Sequence, residues 1–547
     1  MYLKLILLIF VFLIFIDCLE GTGGIKQKEK RREQKLKRKI QNSIKNFKKF
    51  VRFEKDEIKK NEGIENFENV EEIRTSSSPS KGKEHIKQKK KVLYIGDNFF
   101  FSHIQFNDML LYENPKSERS VTSRVFNVIN MPIDSTRFDE NQPLPEQIMK
   151  YRFSNKFRHV GIYQEVITNA EVYIDKKKVR ILDWLLDQNY DFGVAEFEVM
   201  AGSFAVFHAL GIKKTFNVAN TVFFPKYLQL LDIDGEPIDF EKYIVPEFYS
   251  VEPGDWDENN GICNQNSNRY RENLENHKQI NQTLMEEYEL SYKIYEELYN
   301  KCVNDNEIKK PLPIGILFKN INFHFINQNI HGVFETFPKL ENIMYIGGLV
   351  VEEQGKLIQK KVKRDKPPCV VYVSFGSRKV TDISNIFGEG VIKQMIAEFQ
   401  KYNKCIFKAR LEERFSPKSN RNTVLTEGST MQQNILVKSN TKLFISHCGV
   451  NGLNESMYAG IPLICIPWGE DQPYNGSLAE HKGIGILVKP DNNFGHAFKE
   501  ALNNILNKNY DSYQNAINKI RKEIHNNLNQ GGFIKNKFIE KIAEIIN

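Results

Sequence analysis

The sequence predicts an α/β protein made of two doubly wound domains of similar size that face each other across a cleft. Three observations carry this expectation. Short apolar, β-branched runs alternate with helix-period segments, first from Val92 and again from near Ile343, the pattern that yields parallel sheets covered on both faces. A stretch rich in Lys, Glu and Gln, 351–368, closed by Pro367-Pro368, separates the two series. At 547 residues the chain has room for two or more domains of ~100–200 residues plus appendages.

The elements follow in order. Leu5 to Ile16 is an unbroken apolar run behind Lys4, followed by Asp17, Glu20 and the small residues of 21–24. As a helix it would span about 18 Å, short of a bilayer core of ~30 Å. Residues 1–24 therefore read as a secretory signal peptide, with an uncleaved anchor as the other reading. Residues 25–90 form a basic, low-complexity segment, too charged to bury a core and read as disordered. Between Lys26 and Lys91 there are 23 Lys/Arg and 11 Asp/Glu, so the chain's net charge of +8 belongs to this segment and the remainder is net acidic. A solvated tail is the preferred reading, and a tether to an anionic membrane or to nucleic acid is the functional alternative.

The first strand is expected at Val92–Ile95, then a loop and a helical pattern over Ser102–Leu111. Further strands are expected at 125–129, 192–195 and 215–218, and a long helix over 284–303. The second series places strands at 370–374, 405–408, 442–446, 462–466 and 485–488. The organisation is an N-terminal domain over 91–345, a linker over 346–368, a second domain over 369–508, and helices over 509–547 that partly pack back on the N-terminal domain. No run after residue 16 approaches ~18 apolar residues, so no later transmembrane helix is expected.

Six cysteines follow Cys18, none in a Cys-x-x-Cys pair, so no structural zinc is expected. Cys369, Cys405 and Cys465 lie in strand-like contexts and read as buried thiols. Cys263 and Cys302 read as the better disulfide candidates.

The densest chemistry lies at Phe444-Ile445-Ser446-His447-Cys448-Gly449-Val450-Asn451-Gly452-Leu453-Asn454-Glu455, followed by Gly460-Ile461-Pro462 and Asp471-Gln472. A strand ends at His447, Gly449 allows a tight turn, and a helix starts near Asn451. The free N–H groups and dipole of a helix N-terminus suit a diphosphate, and His447 adds a donor. Glu455, one turn on from Asn451, can accept hydrogen bonds from ribose hydroxyls. Asp471 and Gln472 follow the next strand, where parallel sheets hold their ligands.

Over about residues 91–530 these motifs resemble the UDP-glycosyltransferase family, which contains the glucuronosyltransferases. Val371–Ser377, Phe325-Ile326-Asn327 and Tyr345-Ile346-Gly347-Gly348 carry the resemblance further. It implies a GT-B fold and an inverting transfer of a hexose or glucuronic acid from a UDP-sugar to a hydroxyl of a small lipophilic acceptor. It implies that His447 contacts the diphosphate with Gly449, Asn451 and Gly452, that Glu455 binds ribose, and that Asp471 and Gln472 hold the sugar. It also implies that Ser377 lines the donor site and Gln432 faces the base.

In the N-terminal half, His103 in Ser102-His103-Ile104-Gln105-Phe106 matches the family's catalytic histidine, and Glu196 stands where the family has an aspartate partner. A histidine near neutral pKa suits removal of the acceptor proton, and a carboxylate fixes its tautomer. Read alone, without the second half of the signature, His103 is better taken as a helix-capping or core histidine. No metal and no cofactor beyond the UDP-sugar co-substrate are expected, and no nucleic-acid partner. The chain departs from the family at Ser429, where tryptophan is usual, and at Gly452, where serine is frequent. A relative that binds UDP-sugar or lipophiles without turnover is the alternative. The secretory pathway, in the endoplasmic reticulum lumen or outside the cell, is the expected location.

Overall fold

Two parallel sheets order the molecule, each with its first strand in the interior. A computed structural model of the protein describes residues 90–97, 110–113, 129–174, 176–303, 308–364, 366–416, 422–428 and 431–547. The signal and basic segments, Ser102–Phe106 with His103, and Ser429 lie outside the described residues.

The first sheet contains β1 (Val92–Asp97), β2 (Leu110–Glu113), β3 (Ile129–Pro132), β6 (Phe192–Ala195), β7 (Thr215–Ala219), β10 (Phe323–Ile326) and β11 (Ile343–Tyr345). Their order is β11-β10-β7-β6-β1-β2-β3, every pair parallel. The second contains β12 (Cys369–Ser374), β13 (Cys405–Ala409), β14 (Thr423–Leu425), β15 (Thr441–Ser446), β16 (Leu463–Cys465) and β17 (Gly485–Leu487). They lie in the order β14-β13-β12-β15-β16-β17, again all parallel. In both sheets the chain runs outward from the first strand and then crosses to its other side. The crevices where the order reverses lie between β1 and β6 and between β12 and β15, the places at which doubly wound sheets bind ligands. Two short antiparallel hairpins, β4–β5 (Glu171–Ile174, Lys177–Arg180) and β8–β9 (Asp232–Ile233, Glu236–Pro237), stand apart from the sheets.

The strands form where β-branched and aromatic residues fill both faces. β7 and β10 are buried at every position, as a parallel strand under two helical layers must be. One core cluster fills the first domain and continues through Leu453, Met457 and Tyr474 of the second, so the two sheets share buried apolar surface. The helix Ile534–Ile546 lays Phe538, Ile542 and Ile545 against Phe192, Phe216 and Phe325 of the first sheet. Glu352, in a short helix Leu349–Gln354 between the sheets, accepts a hydrogen bond from the Ile534 N–H at 2.8 Å. Immediately after β11, Gly347 crosses the chain that leaves β10, and its N–H donates to the Gln328 carbonyl at 2.7 Å.

Three expectations are corrected. Leu110 and Leu111 belong to strand β2, paired with β1 through Gly96 and Leu111, and not to a helix. The long helix starts at Asn268, well before residue 284, capped by Ser267 whose side chain accepts from the Tyr270 N–H. Its first half is too polar for an apolar period to show, and it buries Asn273 and His277 in place of aliphatic residues. The cysteine pairing is also different. Cys369 and Cys405 are directly opposed on β12 and β13, with Cα atoms 4.4 Å apart, and form a disulfide. Cys448, two residues past β15, bonds Cys465 at the end of β16. Cys263 and Cys302 are free thiols. Cys302 ends the helix that begins five residues after Cys263, and a helix of 35 residues is about 50 Å long, which keeps the two apart.

Candidate active site

The donor-side residues meet at the carboxyl ends of β12 and β15. The loop Phe375-Gly376-Ser377 leaves β12, and His447 leaves β15 beside it, Ser374 and Ser446 being paired in register. His447 is half-buried, with its ring against two glycines. A Cβ at Gly376 or at Gly449 would each lie 2.8 Å from His447 Nε2. Gly449 is thus needed for closeness to the ring and not, as the sequence suggested, for a turn. Its own φ is −60°, and the left-handed residue is Cys448 at +65°. Burial, with the Arg378 charge adding, pushes the His447 pKa down to about 4. At neutral pH the ring is uncharged, a hydrogen-bonding group and not a counter-ion.

The helix Val450–Ala459 begins at this point, and no side chain of its own caps it. Asp471, from the segment after β16, does so instead: its Oδ2 accepts from the Val450 N–H at 3.0 Å and from Asn475 Nδ2 at 2.9 Å. One oxygen of the Asp471 carboxylate is thus committed to the helix N-terminus. The next two N–H groups, of Asn451 and Gly452, take no acceptor among the described residues and carry the positive end of the helix dipole. Gly452 has a packing reason: a Cβ there would meet Ser446 Oγ at 3.2 Å. Gln472 is buried, its Oε1 accepting from the Trp468 N–H at 3.0 Å. Ser377 is exposed on the loop beside His447.

One turn along the helix, Glu455 receives hydrogen bonds from Gln432 Nε2 and, at 2.8 Å, from Gln433 Nε2. Burial raises the Glu455 pKa while the two amides pull it back. Gln432 and Glu455 are thereby brought together. Gln433 was not foreseen; its place next to Gln432 at the start of a helix was the available signal.

In the first domain, Glu196 follows β6 directly and is 4% exposed, its Oε1 accepting from the Asn220 N–H at 3.0 Å. β6 pairs in register with β1, Ala195 opposite Ile95, so Glu196 sits at the reversal point of the first sheet. The residues after β1 that include His103 lie outside the described part.

The two sides are connected by buried asparagines. Asn327, at the end of β10, donates from Nδ2 to Asn220 Oδ1 and to Asn451 Oδ1, both at 2.9 Å. Asn454 Nδ2 donates to the Asn327 carbonyl at 3.0 Å. A continuous set of hydrogen bonds thus runs from the carboxylate of the first domain to the helix N-terminus of the second. Sequence reading placed Asn327 in a family motif but gave it no role.

Among the described residues no group of three or more His, Cys, Asp or Glu could hold a metal ion, and no helix is long and apolar enough to cross a membrane.

Comparison with known proteins agrees with this layout. The family model described as UDP-glucoronosyl and UDP-glucosyl transferase matches residues 282–528. A Caenorhabditis elegans protein named as a UDP-glucuronosyltransferase, ugt-48, is 34% identical over 195 residues, 34% of this chain and 36% of that protein. A second from the same organism, ugt-47, is 25% identical over 62% of this chain and 60% of its own length. The aligned parts therefore span about a third to three fifths of these two relatives. A UDP-glucosyltransferase from Polygonum tinctorium has the same fold, with a TM-score of 0.51 at 12% identity, covering 84% of this chain and 99% of its own. So does the glycosyltransferase of kitacinnamycin, at 0.50 and 11%, covering 83% and 99%. The fold is GT-B: two Rossmann-like domains, each with a parallel sheet.

Proposed function

We propose that the chain is a member of the UDP-glycosyltransferase family, whose model matches residues 282–528, and that it transfers a hexose or glucuronic acid from a UDP-sugar to a hydroxyl of a small lipophilic acceptor, with inversion. The observation that carries this reading is the helix N-terminus at Val450, where His447, the Asn451 and Gly452 N–H groups, Asp471 and Gln472 converge. Such an N-terminus is suited to a diphosphate. Glu455, one helical turn on and held by two glutamines, is the group we assign to the ribose hydroxyls.

In the reaction, His103 takes the acceptor proton with Glu196 stabilising the imidazolium. The acceptor oxygen bonds to the anomeric carbon as the bond from that carbon to the diphosphate breaks, and UDP leaves. A single displacement inverts the anomeric centre. The helix N-terminus and His447 stabilise charge gathering on the leaving diphosphate.

The test is release of UDP from UDP-glucose and UDP-glucuronic acid by the purified protein with a panel of phenols, steroids and flavonoids. Turnover is expected with at least one donor, and His103→Ala is expected to lower it by on the order of 10²-fold or more. UDP binding without turnover on any acceptor would support the inactive relative instead. A second expectation concerns the donor pocket alone. Gly449→Ala drives a methyl into His447 Nε2 and displaces the ring, so UDP affinity should fall about tenfold. Calorimetric titration with UDP reads this directly, and an unchanged affinity would remove His447 from the diphosphate site.

A further inference from the structure

Among the described residues the guanidinium of Arg378 makes no hydrogen bond or ion pair, and Arg378 stands on the loop beside His447. Its backbone is pinned. Arg410 Nη1 donates to the carbonyls of Gly376 at 2.7 Å and Arg378 at 2.8 Å, and Gly376, at φ +86°, lies against the His447 ring. Its side chain is laid over Trp468, with Cζ 4.6 Å from the ring centroid, while the residue as a whole remains exposed. Trp468 in turn is tied by its N–H to Gln472. The guanidinium is therefore joined to the strand-end segment that carries Asp471 and Gln472, and its charge is felt at His447.

We propose that Arg378 selects the donor sugar, pairing through its guanidinium with the C6 carboxylate of a UDP-hexuronic acid. This rests on the UDP-sugar reading above and names the sugar class for the same site. The diphosphate already has His447 and the N–H groups of Asn451 and Gly452. The neighbouring carboxylates are engaged elsewhere, Asp471 Oδ2 by Val450 and Asn475, and Glu455 by Gln432 and Gln433. Of the two consecutive cations Arg378 and Lys379, neither with an ion pair among the described residues, Arg378 is the one held over Trp468, in the segment that leads to Asp471 and Gln472. A guanidinium held over an indole is restrained while the residue stays exposed, and its planar fork can take a carboxylate through two parallel hydrogen bonds. A neutral hexose offers at C6 a single hydroxyl oxygen and no charge, so it can accept one hydrogen bond and form no ion pair. Because Arg378 is solvated when unpaired, discrimination comes from added affinity for the acid and not from rejection of the hexose.

The experiment is calorimetric titration of the full chain, as wild type, Arg378→Gln and Arg378→Lys, with UDP-glucuronic acid, UDP-glucose and UDP. The wild type is expected to bind UDP-glucuronic acid about tenfold more tightly than UDP-glucose. Arg378→Gln should bring the two donors within about threefold while moving UDP affinity less than that, and Arg378→Lys should restore part of the preference. Equal wild-type affinity for the two donors would overturn the proposal. So would an Arg378→Gln variant that loses UDP as strongly as it loses UDP-glucuronic acid, which would put the cation on the diphosphate. Failure of all three nucleotides to bind would remove the UDP-sugar reading itself, and this proposal with it.

Discussion

Glu196→Gln is expected to lower kcat by on the order of 10²–10⁴-fold while the protein stays folded. The substitution keeps an oxygen where Glu196 Oε1 accepts from the Asn220 N–H, so the buried turn after β6 retains its bond. What it removes is the negative charge. A histidine that takes a proton in the transition state becomes an imidazolium, and a carboxylate within reach lowers the energy of that ion where an amide does not. An amide can also favour the wrong tautomer of the neutral ring. The loss should therefore appear in kcat, with UDP affinity and the melting temperature close to wild type. A kcat within threefold of wild type would place Glu196 outside the chemistry, and a matched loss of melting temperature would make its role structural.

The second large effect concerns folding. Gly347→Ala is expected to destabilise the protein by about 4 kcal/mol or more, enough to leave little soluble chain on expression. A Cβ at position 347 would lie 2.1 Å from the Gln328 carbonyl carbon and 2.3 Å from the Asn329 nitrogen. Both are backbone atoms, so no side chain can swing aside; the chain leaving β11 would have to separate from the chain leaving β10. That separation would break the Gly347 N–H bond to Gln328 and disturb Asn327, which joins the two domains. Thermal or denaturant unfolding of whatever soluble protein remains gives the magnitude. Gly235→Ala is a suitable control, because nothing lies within 4 Å of a Cβ there, and only the cost of its φ of +83° would be felt.

The parts of this structure that could be read from sequence were those in which one physical cause dominates. The buried strands β6, β7, β12, β13 and β15 announce themselves as β-branched or aromatic runs, and the strand-to-helix passage at 446–452 is marked by its histidine and glycines. Where several causes compete, the reading failed. β2 is four residues long and takes its identity from pairing with β1, which no local pattern records. The cysteine pairs follow from strand register and from the length of one helix, neither of which shows in spacing along the chain. Gly449 was recognised as necessary for a reason that belongs to its neighbour: Cys448 makes the turn, and Gly449 makes room for a ring. The contact of Asn327 with Asn451 joins residues 124 positions apart and could come only from the fold.

The buried asparagines between the halves have a consequence for how this protein should respond to acidity. Amide side chains carry no proton that dissociates in the range where proteins survive, and each presents a donor and an acceptor at every pH. The hydrogen bonds through Asn220, Asn327, Asn451 and Asn454 are therefore insensitive to pH, whereas the pairs of Glu335 with His481 and Lys482 and of Glu252 with Lys489, which also join the two domains, involve groups that ionise. The asparagine contacts at the crevice thus hold at every pH, while the Glu335–His481 pair at the rim between the domains contains a group whose charge changes, so a pH–rate curve reads both that pair and the groups that exchange protons with the substrates.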